Sequence, residues 1–197
     1  MPLCYHVAVA QVRKKATYAD LVAVPEPLVA EIVAGELYTS PRPAVPHTLA
    51  ASAVGSFLFD RFNRPSDGPD APGGWWILYE PELHFGEDVL VPDLAGWRRA
   101  RMPSCPKSAA ITMPPDWVCE VVSPSTGALD RTRKMPAYAR EHVGHLWIVD
   151  PVVRTLEVYR LEGGRWVVAA AYGGSEALRA EPFETVAVEM ARWWGEV

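Results

Sequence analysis

The sequence predicts a mixed α/β (α+β) fold, in which a mixed β-sheet is flanked by helices and a β-hairpin lies near each end of the chain. Short apolar runs that are typical of strands recur from Trp75 to Tyr172. One longer stretch, His47 to Phe62, repeats its apolar residues at helical spacing. Between Trp117 and Val149 a strand, a helix and a strand follow one another, and with the surrounding meander they indicate a mixed sheet.

Length and composition favour an ordinary globular protein. With 197 residues, 49% of them apolar and 22% charged, the chain is long enough for a proper core and too apolar for a disordered protein. We expect an N-terminal arm (1–16), either loosely attached or a basic nucleic-acid contact, and then one domain (17–197). The net charge of −5 argues against a broad basic surface but allows a local basic groove beside an acidic metal site.

Cysteine usage and the first residues indicate where the protein works. The three cysteines, Cys4, Cys105 and Cys119, lack the close spacing of a zinc site and the even number of a disulfide framework. The N-terminus has neither the basic region nor the long apolar stretch of a signal peptide. No apolar run approaches the roughly 20 residues that a membrane span needs. A soluble cytoplasmic protein without membrane contact is therefore expected.

The first half of the chain carries two helix signals and one hairpin signal. Residues 17–21 are predicted to open a short helix. Residues 30–33 and 36–39 are two short runs on either side of Ala34-Gly35, a pattern that predicts a hairpin with glycine in the turn. From His47 to Phe62 apolar residues recur at steps of three and four, which predicts an amphipathic helix.

The second half is dominated by strand signals. Apolar runs bounded by turn residues predict strands at 75–79, 82–85, 89–97, 117–122, 145–149, 155–161, 166–172 and 185–188. The pair 155–161 and 166–172 forms the predicted C-terminal hairpin. Because Pro92 lacks an N–H, an irregularity beside Asp93 is expected in the strand 89–97. The run 117–122 is strongly apolar and is expected to be buried on both faces of its sheet.

A helix is expected over Thr132–His142, between two of these strands. Proline fits only in about the first turn of a helix without kinking it, so Pro136 constrains where the helix begins. Lys134 is therefore expected at or near the helix N-terminus.

Two acidic residues on predicted apolar strands, Asp93 and Glu120, are the main chemical signal. Ionised side chains on buried strands cost free energy unless something pairs with them. Mg²⁺ takes oxygen ligands, often only one or two carboxylates, and keeps several waters. Asp93 and Glu120 could supply the carboxylates, and the carbonyl of Val121 a further oxygen. Lys134 could orient or deprotonate an attacking water, or stabilise a charged transition state.

The same residues have a purely structural explanation. Asp93 could cap an irregular strand, and Glu120 could pair with Lys134 or an arginine as an ion pair that stabilises the fold. Composition and spacing alone favour this explanation, because two acids 27 residues apart followed by a lysine form a weak pattern.

A resemblance to a known family favours the metal site over the purely structural explanation. From about Tyr18 to Glu189, nearly the whole chain, the sequence resembles the Uma family of restriction-endonuclease-like proteins in the PD-(D/E)xK nuclease superfamily. The residues that carry the resemblance are Pro92-Asp93, Glu120-Val121-Val122, Ser123-Pro124-Ser125-Thr126, Asp130, Lys134, Tyr138, Leu146 to Pro151, Glu31 to Leu37, Ser40-Pro41 and His47. The resemblance implies a restriction-endonuclease-like fold, a divalent metal (Mg²⁺ or Mn²⁺) and cleavage of DNA.

Each residue role is carried over by matching positions. Asp93 matches the aspartate of the PD motif, and Glu120 matches the (D/E) position. The usual lysine position, two residues after that acid, is occupied by Val122. Lys134 matches a lysine that has migrated into the following helix, from which a long side chain can reach back.

Three further residues, Glu31, Glu36 and His47, match positions that are often polar in the family. Glu31 or Glu36 would serve as an additional acid, and His47 is either a site member or a residue that opens a helix. The sequence thus predicts a metal-dependent DNA endonuclease, an Mg-dependent endodeoxyribonuclease, with a homodimer implied by the resemblance. The alternative is a catalytically inactive nucleic-acid-binding or protein-interaction module on the same fold.

Overall fold

The structure, a computed structural model, describes residues 14–68 and 71–196. Most of the predicted N-terminal arm therefore lies outside the described residues. The part that is described is held by the first hairpin, since the N–H of Ala16 donates to the carbonyl of Gly35 at 2.9 Å.

The helices follow the helical signals of the sequence, with one exception near residue 130. The helical elements are α1 (Tyr18–Val22), α2 (Val45–Phe62), α3 (Gly127–Leu129), a π-helical turn (Asp130–Lys134), α4 (Met135–Arg140) and a 3₁₀ helix (Met190–Trp194). Thr17 caps α1 in a reciprocal capping box with Asp20. No helix in the part of the chain that the structure describes is both long and apolar enough to cross a membrane.

The strands are short and fall into separate sheets. They are β1 (Val29–Val33), β2 (Glu36–Ser40), β3 (Trp75–Tyr79), β4 (Glu82–Phe85), β5 (Asp88–Leu90), β6 (Leu94–Arg98), β7 (Ala110–Ile111), β8 (Trp117–Val121), β9 (His145–Asp150), β10 (Thr155–Glu162), β11 (Arg165–Gly173), β12 (Ala177–Leu178) and β13 (Val188–Glu189).

The larger sheet has six strands in the order β11-β10-β9-β8-β6-β3. Its central pair, β8 and β9, is parallel, and the helical segment from α3 to α4 connects the two strands. The other pairs in this sheet are antiparallel. The smaller of the two main sheets, called the smaller sheet below, has the order β2-β1-β5-β4-β7, in which only β4 and β7 pair in parallel. A third sheet consists of the antiparallel pair β12 and β13. The predicted mixed α+β class, with a hairpin near each end, is confirmed.

The two faces of β8 belong to two different hydrophobic clusters. Trp117, Cys119 and Val121 pack in the cluster that lies under α2. Val118 and Val122 pack in a second cluster, which includes Tyr138 of α4. Side chains alternate along a strand, so Glu120 points to the same face as Val118 and Val122, towards α4.

The predicted strand 89–97 is wrong in one respect, because the chain forms two strands there instead of one. Asp88–Leu90 pairs within the smaller sheet, whereas Leu94–Arg98 pairs within the larger sheet. Pro92 cannot donate to a ladder, and the unpaired residues 91–93 carry the chain from one sheet to the other. Asp93 therefore lies at the junction of the two sheets.

The predicted start of the connecting helix is also wrong. Helical backbone begins at Gly127, so Lys134 lies in the middle of the helical segment. The N–H of Met135 bonds to the carbonyl of Asp130, five residues earlier, which makes this turn π-helical. Because the wide turn directly precedes Pro136, the missing proline N–H is accommodated without ending the helix.

Candidate active site

A cavity of about 320 Å³ opens at the junction of the two sheets. Its lining includes β1, the crossover at 91–93, the end of β8 and the π-helical turn, together with two loops rich in proline and serine, 40–44 and 123–126. Of the residues predicted for the site, the cavity is lined by Glu31, His47, Asp93, Glu120, Val121 and Lys134.

Asp93 is fixed by one hydrogen bond on each carboxylate oxygen. Its Oδ1 lies 2.8 Å from Nε2 of His47, and its Oδ2 accepts a hydrogen bond from the N–H of Val121 at 2.7 Å. Its position lies one residue before Leu94, which pairs with Cys119 in the antiparallel ladder between β6 and β8. Asp93 is therefore placed opposite Glu120 across the two strands.

Glu120 is buried, and its contacts come from the helical segment. Lys134 Nζ lies 2.9 Å from Oε1 and 3.1 Å from Oε2, and the hydroxyl of Tyr138 donates to Oε1 at 2.6 Å. The side chain of Glu120 is only 3% exposed. A charge so deeply buried is stable only because these donors replace water.

Lys134 contacts acids from three elements. Besides Glu120, its ammonium lies 2.9 Å from Oε1 of Glu31 on β1 and 3.9 Å from Oδ1 of Asp130 in the π-helical turn. It also donates to the carbonyl of Val91 at 3.2 Å. The ammonium therefore links the crossover, β1, β8 and the helical segment.

The three accessory residues suggested by the sequence have different positions. Glu31 is in the cluster, where its Oε1 also accepts a hydrogen bond from the N–H of Val91 at 2.7 Å. His47, in the first turn of α2, contacts Asp93, and its buried Nδ1 has no hydrogen-bond partner among the described residues. Glu36 is exposed at the start of β2, interacts with Tyr38 and does not line the cavity.

Asp130 and Tyr138 complete the cluster. Both are among the residues that carry the family resemblance, but neither was predicted to belong to the site. Both are almost fully buried, and they stand four residues before and four residues after Lys134. That spacing puts all three side chains on one face of a helix. The signal was hidden because the predicted helix began too late to include Asp130.

The crowded carboxylates affect one another's ionisation. Burial raises the pKa of Glu120 well above its usual 4.5, and although Lys134 opposes this shift, Asp130, Asp93 and Glu31 add to it. Burial also raises the pKa of Asp130 to about 6. Burial lowers the pKa of Lys134, but the charges of Glu120, Glu31 and Asp130 outweigh it and raise that pKa above its usual value. Lys134 is thus held as a cation.

His47 and Tyr138 are shifted in ways that preserve their hydrogen bonds. Burial lowers the pKa of His47, but the hydrogen bond and charge of Asp93 outweigh it, so the net shift is upward. Burial and the charge of Glu120 raise the pKa of the Tyr138 phenol well above 10.0. The phenol therefore keeps its proton and remains a donor to Glu120.

The cavity offers carboxylate and carbonyl oxygens, the type of ligand that Mg²⁺ prefers, but the side chains do not converge on one point. No group of three or more histidine, cysteine, aspartate or glutamate residues within 14–68 and 71–196 is arranged to hold a metal. The ammonium of Lys134 lies between Glu31 and Glu120. Two carboxylates, one carbonyl and water nevertheless suffice for Mg²⁺, and a divalent cation would relieve the repulsion among the acids.

Comparison with solved structures shows the same fold in another protein. A crystal structure described as "a putative nuclease belonging to DUF820", from Anabaena variabilis ATCC 29413, matches with a TM-score of 0.72. The match covers 92% of this chain and 98% of the other, at 18% sequence identity. No curated protein sequence matches this chain.

Comparison with protein families agrees with the resemblance seen in the sequence. The family model Uma2, described as "putative restriction endonuclease", matches residues 16–191. The matched region includes all three sheets and every residue of the buried cluster around Lys134. The chain belongs to the Uma2 family.

Proposed function

We propose that this protein is a metal-dependent endonuclease that hydrolyses phosphodiester bonds in DNA. One observation carries the proposal. Asp93 and Glu120 lie opposite each other in one cavity, and a lysine that is kept charged contacts Glu120 directly. Membership of a family described as a putative restriction endonuclease supports a nuclease-like function. The metal and the choice of DNA are part of the proposal.

Asp93, Glu120 and the carbonyl of Val121 would hold the ion, because they provide the hard oxygen ligands that Mg²⁺ or Mn²⁺ prefers. A bound ion supplies Lewis-acid chemistry, which activates water and offsets the charge of the phosphate. Asp93 keeps its orientation through His47 and the N–H of Val121. The protein thus supplies preorganised ligands in the lining of a cavity of about 320 Å³.

Lys134 would act through its charge. Because neighbouring acids raise its pKa, the ammonium does not release its proton readily and is poorly suited to deprotonate water. It can instead position a water molecule through its N–H groups or stabilise the negative charge that develops on the phosphate. We therefore assign Lys134 a charge-stabilising role within the proposed reaction.

A homodimer is the assembly that we propose for the active protein. Cutting a duplex requires hydrolysis of two strands, and two copies of the cavity would provide one site for each strand.

A second candidate function rests on the bonding within the cluster. Glu120 forms a buried ion pair with Lys134, and Asp93 caps the backbone of β8 at Val121. These contacts stabilise the fold without any metal. The protein could thus be a nucleic-acid-binding or protein-interaction module that keeps the acids for structural reasons.

The two candidates can be separated by measuring metal binding and DNA cleavage on the same variants. Titration calorimetry with MgCl₂ and MnCl₂, and nicking of supercoiled plasmid, should give a signal for the wild type. Both signals should disappear in Asp93→Asn and Glu120→Gln. Asp60→Asn is a matched control, because Asp60 is 73% exposed and its side chain pairs with its neighbour Arg61.

The nuclease proposal fails if the wild type gives neither binding heat nor nicking, or if Asp93→Asn still cuts at the wild-type rate. Binding of DNA without cleavage, unchanged in both acid variants, would support the inactive module instead.

A further inference from the structure

Two basic side chains of the described chain line the cavity, and they differ in exposure. Lys134 is buried among the acids, whereas Arg42, on the loop between β2 and α2, is exposed. A residue that is exposed and still lines a cavity lies at its opening. Arg42 is therefore the cation that a ligand meets first on entering the cavity.

The hydrogen-bond donors of Lys134 are already in use. An ammonium group has three N–H donors. Those of Lys134 face Glu31 at 2.9 Å, Glu120 at 2.9 and 3.1 Å, and the carbonyl of Val91 at 3.2 Å. A direct bond from Lys134 to an incoming phosphate would break one of these contacts. Lys134 thus contributes charge, while direct hydrogen bonds to such a phosphate have to come from another residue.

The side chain of Arg42, in contrast, is free. It forms no hydrogen bond or ion pair with any residue in 14–68 and 71–196. Acids are not lacking, because five of them line the same cavity: Glu31, Glu80, Asp93, Glu120 and Asp130. All five N–H donors of the guanidinium group therefore remain available to a ligand.

The loop that carries Arg42 has little conformational freedom. Pro41 and Pro43 flank Arg42, and a proline fixes its own φ and restricts the residue before it to extended backbone. Both ends of the loop are anchored, since Ser40 is paired in the ladder between β1 and β2, and the carbonyl of Ala44 accepts the first hydrogen bond of α2. A preorganised backbone loses less entropy on binding. Arg42 is thus held in place before any ligand arrives.

The charge of the lining gives this arginine a purpose. Five acids outnumber the two basic residues, Lys134 and Arg42. Each phosphate of a DNA strand carries a negative charge, so the acids repel a strand that approaches the cavity. Arg42 attracts it at the opening, and the planar guanidinium group can bond two phosphate oxygens at once.

We propose that Arg42 binds a phosphate of the DNA strand at the opening of the cavity and holds the strand there against the repulsion of the acids. This inference rests on the proposed function, because it takes DNA as the substrate. The contact forms outside the buried cluster and leaves the ion pair between Glu120 and Lys134 intact.

DNA binding by Arg42→Gln, measured as the fluorescence anisotropy of a labelled duplex in EDTA, tests the inference. EDTA removes divalent ions, so metal ligation does not contribute. The logarithm of the association constant falls linearly with the logarithm of the salt concentration, with a slope of about −0.9 for each phosphate that the protein neutralises. Arg42→Gln should make this slope shallower by about 0.9. It should also weaken binding by about 10-fold at low salt, because a hydrogen bond to a charged group is lost.

Arg42→Lys separates charge from shape. Lysine keeps the positive charge, so the wild-type salt slope should return. The full affinity should not return, because an ammonium group cannot bond two phosphate oxygens in the planar geometry of a guanidinium group. Neither variant should change the urea midpoint of unfolding, since Arg42 forms no hydrogen bond or ion pair within the described chain.

Arg165→Gln is the matched control. Arg165 is also exposed and without a hydrogen bond or ion pair in the described residues, but it lies on β11, three strands from β8 in the larger sheet. Its salt slope and affinity should equal those of the wild type.

Three results would overturn the inference: wild-type slope and affinity in Arg42→Gln, an equal loss in Arg165→Gln, or a wild type that binds no DNA in EDTA. The nicking assay decides the proposed function separately. A wild type that binds DNA through Arg42 but never cuts it would overturn the nuclease proposal alone.

Discussion

The ammonium of Lys134 lies 2.9 Å from Oε1 of Glu120, and both side chains are only 3% exposed. The same ammonium lies 2.9 Å from Glu31, so one cation serves two close carboxylates. With Asp93 and Asp130 also in the cavity lining, these four acids share the cavity with one buried lysine. The stability of the fold therefore depends on Lys134.

Replacing Lys134 with methionine should destabilise the protein severely. Methionine keeps most of the side-chain volume but leaves the buried carboxylates unpaired. Breaking a buried ion pair by removing one partner typically costs about 3–5 kcal/mol. We expect a loss of that size in the free energy of unfolding at pH 7, measured with urea in EDTA. The loss should shrink in acid, where the carboxylates become protonated.

Lys107→Met is the control for this prediction, because Lys107 is exposed and forms no ion pair within the described chain. Lys107→Met should change the free energy of unfolding by no more than about 0.5 kcal/mol. A loss below about 1 kcal/mol in Lys134→Met would contradict the view that the lysine neutralises the cluster.

Asp130 should make the protein less stable as the pH rises. Its pKa is about 6 in the folded chain against 3.8 as the reference value for the unfolded chain. Between these values the folded state holds a proton that the unfolded state releases, so the free energy of unfolding falls as the pH increases. Asp130→Asn should remove the part of this pH dependence that comes from Asp130. Its free energy of unfolding at pH 7 should exceed that of the wild type by up to about 3 kcal/mol.

The comparison requires denaturation curves from below pH 4 to pH 7 in EDTA, for the wild type and Asp130→Asn. The curves of the two proteins should coincide below the unfolded-state pKa and separate above it. The exposed Asp60→Asn should follow the wild type throughout. A wild type that is more stable than Asp130→Asn at pH 7 would show that the Asp130 charge stabilises the fold.

His47 should support metal binding through Asp93. Its Nε2 lies 2.8 Å from Oδ1 of Asp93, which restrains the carboxylate. Loss of a residue that orients a metal ligand typically weakens affinity by about 10–100-fold. His47→Leu should therefore raise the dissociation constant for Mg²⁺ by that factor, as measured by calorimetry.

His84→Leu provides the comparison for this prediction, since His84 contacts Glu82 at 2.6 Å and does not line the cavity. Equal affinity in His47→Leu and His84→Leu would mean that Asp93 needs no support from His47.

Phe183 should be a critical packing residue of the cluster under α2. Its ring centroid lies 4.7 to 5.6 Å from those of Phe62, Trp75, Trp117 and Trp147, and the side chain is 0% exposed. Truncating such a side chain removes apolar burial and leaves a cavity. Phe183→Ala should therefore lower the free energy of unfolding by about 3–5 kcal/mol.

Phe59→Ala tests whether burial explains the Phe183 effect, because Phe59 is 51% exposed on α2. Phe59→Ala should lower the free energy of unfolding, measured with urea, by about 1 kcal/mol at most. Similar losses in both variants would mean that helix propensity or another local effect dominates.

Local patterns were sufficient to predict most elements. The first hairpin, α1 and α2 were predicted because each has its own periodicity or turn signal within a few residues. The strands β7 and β12 were missed, since two residues cannot establish an alternating pattern. The π-helical turn was missed as well, because its extra backbone residue has no signature in side-chain type.

The site was predicted in part, and each failure has a physical cause. Asp93, Glu120 and Lys134 were singled out by their positions on and behind apolar strands, and the resemblance then favoured a catalytic role. The structure brings their side chains into one cavity. Glu36 matched the same family pattern as Glu31 but lies outside the cavity. Asp130 could be assigned only after the helical segment was seen to start at Gly127. Tyr138 lay within the predicted helix, four residues after Lys134, but its role was not recognised.

The sequence by itself determined the family, the fold class and the types of residue available for chemistry, because motifs and periodicity are local properties of the chain. Only the tertiary structure decided which acids meet. The crossover at 91–93 places Asp93 between two sheets, and the π-helical turn directs Lys134 and Tyr138 onto Glu120. Those relationships depend on packing between residues that are distant in the chain. A shift of one residue in the pairing of two strands would turn every side chain of a strand to the opposite face of the sheet.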